Sequence, residues 1–387
     1  MNKIIDPIRR WFTPLPHLPV GVYQFQSPAD APEPYRLHLR LEPAGNGILI
    51  VNARTVLHLN QTAAEYAYHI VNCTPEAEVA KIIQRRYRIS RQQAQKDFND
   101  LSERLHSIIH TRDLDPEMFL DFERVDPHST ELSAPLRLDC ALTYRLSELA
   151  APHAAPEERV RRELTTAEWQ TIMDKAWNAG IPHVVFTGGE PTLRPDLPEL
   201  IAYTEKIGMV CGLLSDGLRL TDPAYLHDLL QSGLDHLMLL LIPEEEQSWE
   251  ALRDVLAEDL FTTVHLTLTP GNEAGFGALL DKLATMGVKS LSLSTSDAAL
   301  KEALQDASRH ASHLGCALVW DVAVPYSSQH PVALDLEEGE KAPEGAGHTW
   351  LYVEPDGDVL PAQGLNQVMG NLLEQPWDEV WKNKPAR

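Results

Sequence analysis

Gly188-Gly-Glu-Pro191 is the segment of this 387-residue chain whose residue types best fit a chemical task. Adjacent glycines let the backbone come close to a bound group. Glu190 and the exposed carbonyls accept hydrogen bonds from a charged amine, and Pro191 fixes the exit of the turn. The segment follows the apolar run His183-Val-Val-Phe-Thr187, so it is expected at a strand end, lining a cavity. Other candidates are few. Cys73, Cys140, Cys211 and Cys316 lie far apart, and no two have C-x2-C or C-x3-C spacing. All four are expected to be buried thiols, the usual fate of unpaired cysteine. Asp216 precedes a glycine, which marks a turn more often than an acid or base. No Ser/His/Asp or paired-carboxylate spacing specifies a catalyst, and no catalytic residue is assigned.

The elements that must position these residues fall into blocks. Tyr35, Leu37, Leu39 and Leu41 alternate with polar residues, the period of a half-buried strand over 34–42. Ala44-Gly-Asn-Gly47 turns the chain into short strands at 48–51 and 56–59. Thr62-x-x-Glu65 has capping-box spacing for a helix to about residue 72, and two more helices are expected at about 75–87 and 90–110. Residues 113–134 have no periodicity and read as a linker. Strands are then expected at 136–143, 183–187, 209–215, 235–241, 261–268 and 289–294, each followed by a helical stretch. Thr165-x-x-Glu168 is a second capping box, and Pro223 opens another helix. Six such βα units predict an α/β fold, a partial (β/α)6 TIM-like barrel with ligands at the carboxyl ends of its strands.

The segment from Cys140 to His153 resembles the cluster loop of radical S-adenosylmethionine (SAM) enzymes, in which Cys-x3-Cys-x2-Cys follows the first strand. Leu146, Ala150 and His153 stand at those three positions. Gly188, Gly189, Glu190 and Pro191 are similar to the family's SAM-binding turn, which implies a SAM-type pocket there. Trp350 to Gly364, with Trp377-Asp-Glu-Val-Trp381, resembles the SPASM/twitch extension of peptide-modifying relatives, a hairpin and closing helix, with Ala362 where that extension has cysteine. Val56 to Glu65 and the following helices resemble PqqD-like domains, winged-helix-like α+β modules that recognise the leader of a ribosomal precursor peptide. That resemblance implies a leader added as a strand beside Val56 and His58, with Arg85, Arg86, Arg88 and Arg91 facing it.

The domains expected are therefore a peptide-recognition domain at 1–112, the linker, a barrel at 135–345 and a cysteine-free extension at 346–387. The net charge of −23 is uneven: residues 1–112 hold 14 Lys/Arg against 10 Asp/Glu, or +4, leaving −27 for the rest. Such a body repels nucleic acid, and the basic front steers an acidic peptide. Sparse cysteines and the lack of a signal peptide or an apolar span predict a cytoplasmic protein without a membrane partner.

Iron–sulfur clusters need soft thiolates, leucine and alanine offer no lone pair, and one imidazole cannot hold four irons. The expectation is thus no metal ligand, no iron–sulfur cluster, and SAM at most as cofactor. The resulting function is a radical SAM-like pseudoenzyme that binds a precursor peptide or an active radical SAM partner as a scaffold in peptide maturation. A non-radical enzyme or sensor binding SAM or a nucleotide in the barrel, and a radical enzyme with unusual cluster ligands, remain open.

Overall fold

The computed structural model describes residues 18–28, 31, 35–52, 55–87, 89–110, 132–147, 155–295, 297–319 and 345–386. The chain divides into two compact units, residues 1–133 and 134–387.

In the first unit, β1 (Gly21–Gln26), β2 (Arg36–Leu41), β3 (Gly47–Val51) and β4 (Thr55–Leu59) form an antiparallel sheet in chain order. Helices α1 (Gln61–Val71), α2 (Glu76–Tyr87) and α3 (Arg91–His110) follow. Leu37, Leu39 and Leu41 alternate inward as their period demands and meet Leu49, Leu57, Ala64, Ala67, Ile83 and Leu105 in one core. Each such leucine contributes about 1.5–3 kcal/mol on burial. Gly47 has no side chain because α1 crosses it: a Cβ there would lie 2.8 Å from that of Ala64.

Two expectations are corrected here. Asn60, not Thr62, caps α1, its side chain accepting from the Ala63 N–H, and Glu65 turns inward instead of bonding back to the helix start. Cys73 is exposed. It lies just past α1 with φ of 51°, on the turn that ends the helix, and so never enters the core.

Among the described residues, the second unit is built on a ten-stranded sheet. Its parallel strands β5 (Arg137–Thr143), β6 (His183–Gly188), β7 (Val210–Ser215), β8 (His236–Leu240), β9 (Phe261–Leu268) and β10 (Ser290–Thr295) lie side by side in sequence order, and the short β11 (Ala317–Val319) adds beyond β10. Helices α4 (Thr166–Ala179), α5 (Leu197–Ile207), α6 (Pro223–Gln231), α7 (Glu246–Leu256), α8 (Phe276–Thr285) and α9 (Lys301–His313) alternate with the strands. Thr165 and Glu168 form the full reciprocal capping box of α4, and Asp222 caps α6 ahead of Pro223. Cys140, Phe186, Leu213, Leu239 and Leu266 pack with Trp169, Ile201, Leu252 and Leu280 into the large core. The tail joins the same sheet. Strand β12 (Trp350–Val353) runs parallel to β5, and β13 (Asp358–Leu360) and β14 (Gly370–Asn371) follow antiparallel before α10 (Trp377–Lys382).

Candidate functional site

Strand β6 ends in Gly188, whose φ of +124° is open to glycine and strained for other residues. A Cβ on Gly188 would stand 2.2 Å from the Thr143 carbonyl oxygen, and one on Gly189 would stand 2.2 Å from that of Arg145. The Gly189 N–H donates to Thr143 O at 2.9 Å and the Glu190 N–H to Arg145 O at 2.8 Å. The two glycines therefore admit the backbone that leaves β5, and the turn is locked to that loop. This is a different use from close approach of a ligand.

Glu190 is 3% exposed and ties β6 to β7. Its Oε1 accepts from the Thr192 N–H and from Ser215 Oγ, both at 2.9 Å, and its Oε2 accepts from the Asp216 N–H at 2.8 Å. Ser215 in turn accepts from the Gly217 N–H, and Asp216 Oδ1 accepts from the Leu218 N–H at 3.0 Å. Burial first, and then the charge of Asp216, push the Glu190 carboxyl up to about 8, against the pull of its N–H donors. Among the described residues, no Lys, Arg or His forms an ion pair with Glu190 or Asp216. Two buried carboxyls without a cation are a poor ground state, since buried charge is stable only when paired. Ser215 and Asp216 were not assigned to this site from sequence, because their link to Glu190 spans about 25 residues and has no local signature.

Leu146 packs with Ala141, Tyr144, Ala155, Val160, Tyr352 and Leu360. Glu354, from the turn after β12, accepts from Tyr144 Oη and Arg159 Nη2, both at 2.8 Å, and so holds this loop against the tail. Ala150 and His153 lie outside the described residues. Ala362 is buried beside Ala346, Trp350 and Leu365. Burial, aided by Asp139 and Cys211, raises the Cys140 thiol well above its ordinary value, the reverse of what a metal thiolate requires. Among the described residues, no group of three or more His, Cys, Asp or Glu is placed to hold a metal. The described donors thus do not fit a cluster.

In the first unit, Val56 is 37% exposed and His58 half-buried on β4, an edge strand among the described residues. Burial, then the charge of Arg40, lowers the His58 imidazole. Arg85 and Arg91 are exposed. Arg86 is not free to face a ligand: its Nε donates to Glu65 Oε2 at 2.6 Å, where Tyr87 Oη also donates at 2.7 Å. Arg88 lies outside the described residues.

A family model described as the radical SAM superfamily matches residues 140–241. The PqqA peptide cyclase of Streptomyces rochei is 30% identical over 288 residues, covering 65% of this chain and 76% of that protein. The PqqA peptide cyclase of Methylobacterium sp. (strain 4-46) is 30% identical over 293 residues, covering 66% and 75%. Among solved structures, Streptococcus suis SuiB bound to precursor peptide SuiA has a TM-score of 0.57 at 15% identity, covering 89% of this chain and 86% of SuiB. SuiB bound to S-adenosylmethionine has a TM-score of 0.56 at 14% identity, covering 92% and 88%.

These likenesses correct the expected absence of cofactors. Radical SAM relatives use SAM and an iron–sulfur cluster, and the family points to both. With the parallel sheet and the glycine turn at the end of β6, and with 30% identity over three quarters of a peptide cyclase, the chain belongs to the radical SAM superfamily, on a fold shared with SuiB.

Proposed function

We propose that the chain acts in the modification of a ribosomally made precursor peptide, which its first unit captures and its second unit receives. The observation that carries this is the edge position of β4 among the described residues, with Val56 exposed and His58 half-buried, on a fold similar to that of a protein solved with its precursor peptide. The leader adds as a strand along residues 55–59, and Arg85, Arg88 and Arg91 supply positive charge within residues 1–112, which carry a net +4. Gly188–Pro191 would hold SAM, which would supply the sulfonium centre on which the superfamily's chemistry depends. Thr143 and Arg145 hold the turn rigid through its two N–H groups.

The test uses the full chain and fluorescein-labelled precursor peptides encoded beside it. Tight binding that Val56→Asp weakens at least tenfold, with far-UV circular dichroism unchanged, is the expected result. Uniform absence of binding, or indifference to Val56→Asp, overturns the reading. The apolar packing of Leu146 favours a second role, in which the bound peptide is presented to a partner modification enzyme. Co-elution of chain, peptide and a cysteine-bearing relative as one complex is expected if that role operates.

A further inference from the structure

Along β9 and β10 alternate residues, Val264, Leu266, Leu291 and Leu293 among them, join the large core. Neighbours along a strand point to opposite faces, so Thr263, His265 and Thr267 stand on the other face, and the register sets them beside Ser290, Ser292 and Ser294. Thr263 and Ser290 bond hydroxyl to hydroxyl at 2.9 Å, a pairing that needs no imidazole. The next pair along is different. His265 is fully buried, with its Nδ1 2.9 Å from Ser292 Oγ and its Nε2 3.0 Å from Ser294 Oγ.

A neutral imidazole carries one N–H and one lone pair. With Nδ1–H donating to Ser292 Oγ, the Nε2 lone pair accepts the Ser294 Oγ–H, which is how a base activates a weakly nucleophilic hydroxyl. Thr267 Oγ1 is also 3.3 Å from Nε2, but Thr267 is 2% exposed, whereas Ser294 is half-buried near the carboxyl end of β10. That is the end at which a βα barrel presents its ligands. Thr267 Oγ1, 3.4 Å from Ser294 Oγ, sets a second hydroxyl beside the reacting atom. On β8 the register places Leu240 beside His265 and Met238 beside Thr263, and Met238 packs with Val185 and Leu214. The hydroxyl wall therefore adjoins an apolar one, and neither carries a carboxylate, lysine or arginine to match a charged ligand.

We propose that Ser294 and His265 form a nucleophile–base pair that cleaves small uncharged acyl esters, with Ser292 as the positioning residue that holds the imidazole. Ser294 Oγ bonds to the acyl carbon while its proton passes to His265 Nε2. Collapse of the adduct breaks the ester C–O bond, and the alcohol leaves with that proton. Water then attacks the acyl-serine with Nε2 again as base, releasing the acid and restoring the serine hydroxyl. The pair is formed by residues 29 apart on neighbouring strands, so no sequence spacing announces it.

The test uses the full chain, without SAM or peptide, and two probes: a biotinylated fluorophosphonate, read by mass spectrometry of tryptic peptides, and p-nitrophenyl acetate, read by the absorbance of released nitrophenolate. One fluorophosphonate adduct per chain, on Ser294, and a nitrophenolate burst approaching one equivalent are expected. Ser294→Ala removes one hydroxyl at a strand end and should fold, as circular dichroism will show; adduct and burst should both disappear. His265→Gln should slow labelling at least a hundredfold, the usual contribution of a general base. Ser292→Ala should slow it about tenfold and Ser292→Thr, which keeps the hydroxyl, should restore it, a pattern that a merely structural serine would not give. No adduct in the wild type, an adduct on any residue other than Ser294, or labelling undiminished in His265→Gln overturns the proposal. Each of those outcomes leaves the peptide reading intact, because neither probe depends on it.

Discussion

Glu65 shows how a single residue can be given the wrong task by its spacing. Three positions after Thr62 it has the register of a capping box, but Asn60 fills that role and Glu65 is buried against Arg86 and Tyr87. Its side chain is 2% exposed and that of Arg86 is 19% exposed, so the pair is screened weakly. Removing one partner of a buried pair strands the other, at about 3 kcal/mol. Glu65→Gln is therefore expected to destabilise the first unit by about that amount, whereas Thr62→Ala should change it by less than about 0.5 kcal/mol, as an ordinary surface substitution does. Urea unfolding followed on the first unit checks both, and equal effects of the two changes would restore Thr62 as the cap.

At the scale of elements, burial decides what is legible. Strands β5 to β8 are apolar runs because parallel strands are covered on both faces, and such runs stand out in sequence. All six expected strands of the barrel are found within one or two residues of their predicted ends. Strand β1 was not foreseen: it carries Val22, Tyr23 and Phe25 in a proline-rich stretch and is mostly half-buried, so its apolar pattern is diluted. Nor does local pattern reveal that β12 pairs with β5, because the two lie some two hundred residues apart. The glycine turn was legible as a motif, yet its partners Thr143, Arg145, Ser215 and Asp216 come from other strand ends and emerge only in the fold.

The tail depends on one such distant contact. Lys175 on α4 donates from Nζ to the carbonyls of Leu372, Leu373 and Gln375 at 2.6, 3.1 and 3.0 Å. Hydrogen bonds to a charged group contribute about 1.5–3 kcal/mol each, less where they share one donor. Lys175→Met should free the segment after β14, with amide exchange across 372–383 accelerated at least tenfold while β5 to β9 stay protected. Unchanged exchange in the tail would mean that the stacked Trp377 and Trp381, 5.6 Å apart, and the packing of Val380 hold it without the lysine.

At the scale of the whole second unit, two titratable groups shape stability in opposite directions. His236 lies over Gly212, where a Cβ would meet its ring at 2.1 Å, and its Nε2 is 2.7 Å from that of His183. Burial, then the charge of Arg137, lowers the His236 imidazole to about 4, against about 6.5 in an unfolded chain. The unfolded state therefore binds the proton first. Stability from this group is full above about 6.5 and is lost as pH falls toward 4, by about 3 kcal/mol at the limit. Glu190 acts in the reverse sense. Its folded value of about 8 lies above the ordinary carboxylate value, so its contribution is present at low pH and is lost as pH rises through 8. Urea midpoints between pH 4 and 9, read from tryptophan fluorescence in a Trp11→Phe background, isolate this unit because the other seven tryptophans all lie in it. His236→Gln should flatten the acid limb and leave the alkaline limb unchanged, and Asp216→Asn, by lowering Glu190 toward its ordinary value, should flatten the alkaline limb alone. A wild-type profile in which both substitutions shift every pH point by the same amount would mean that neither group titrates in the folded chain, and the strand ends would then be held by packing rather than by shared protons.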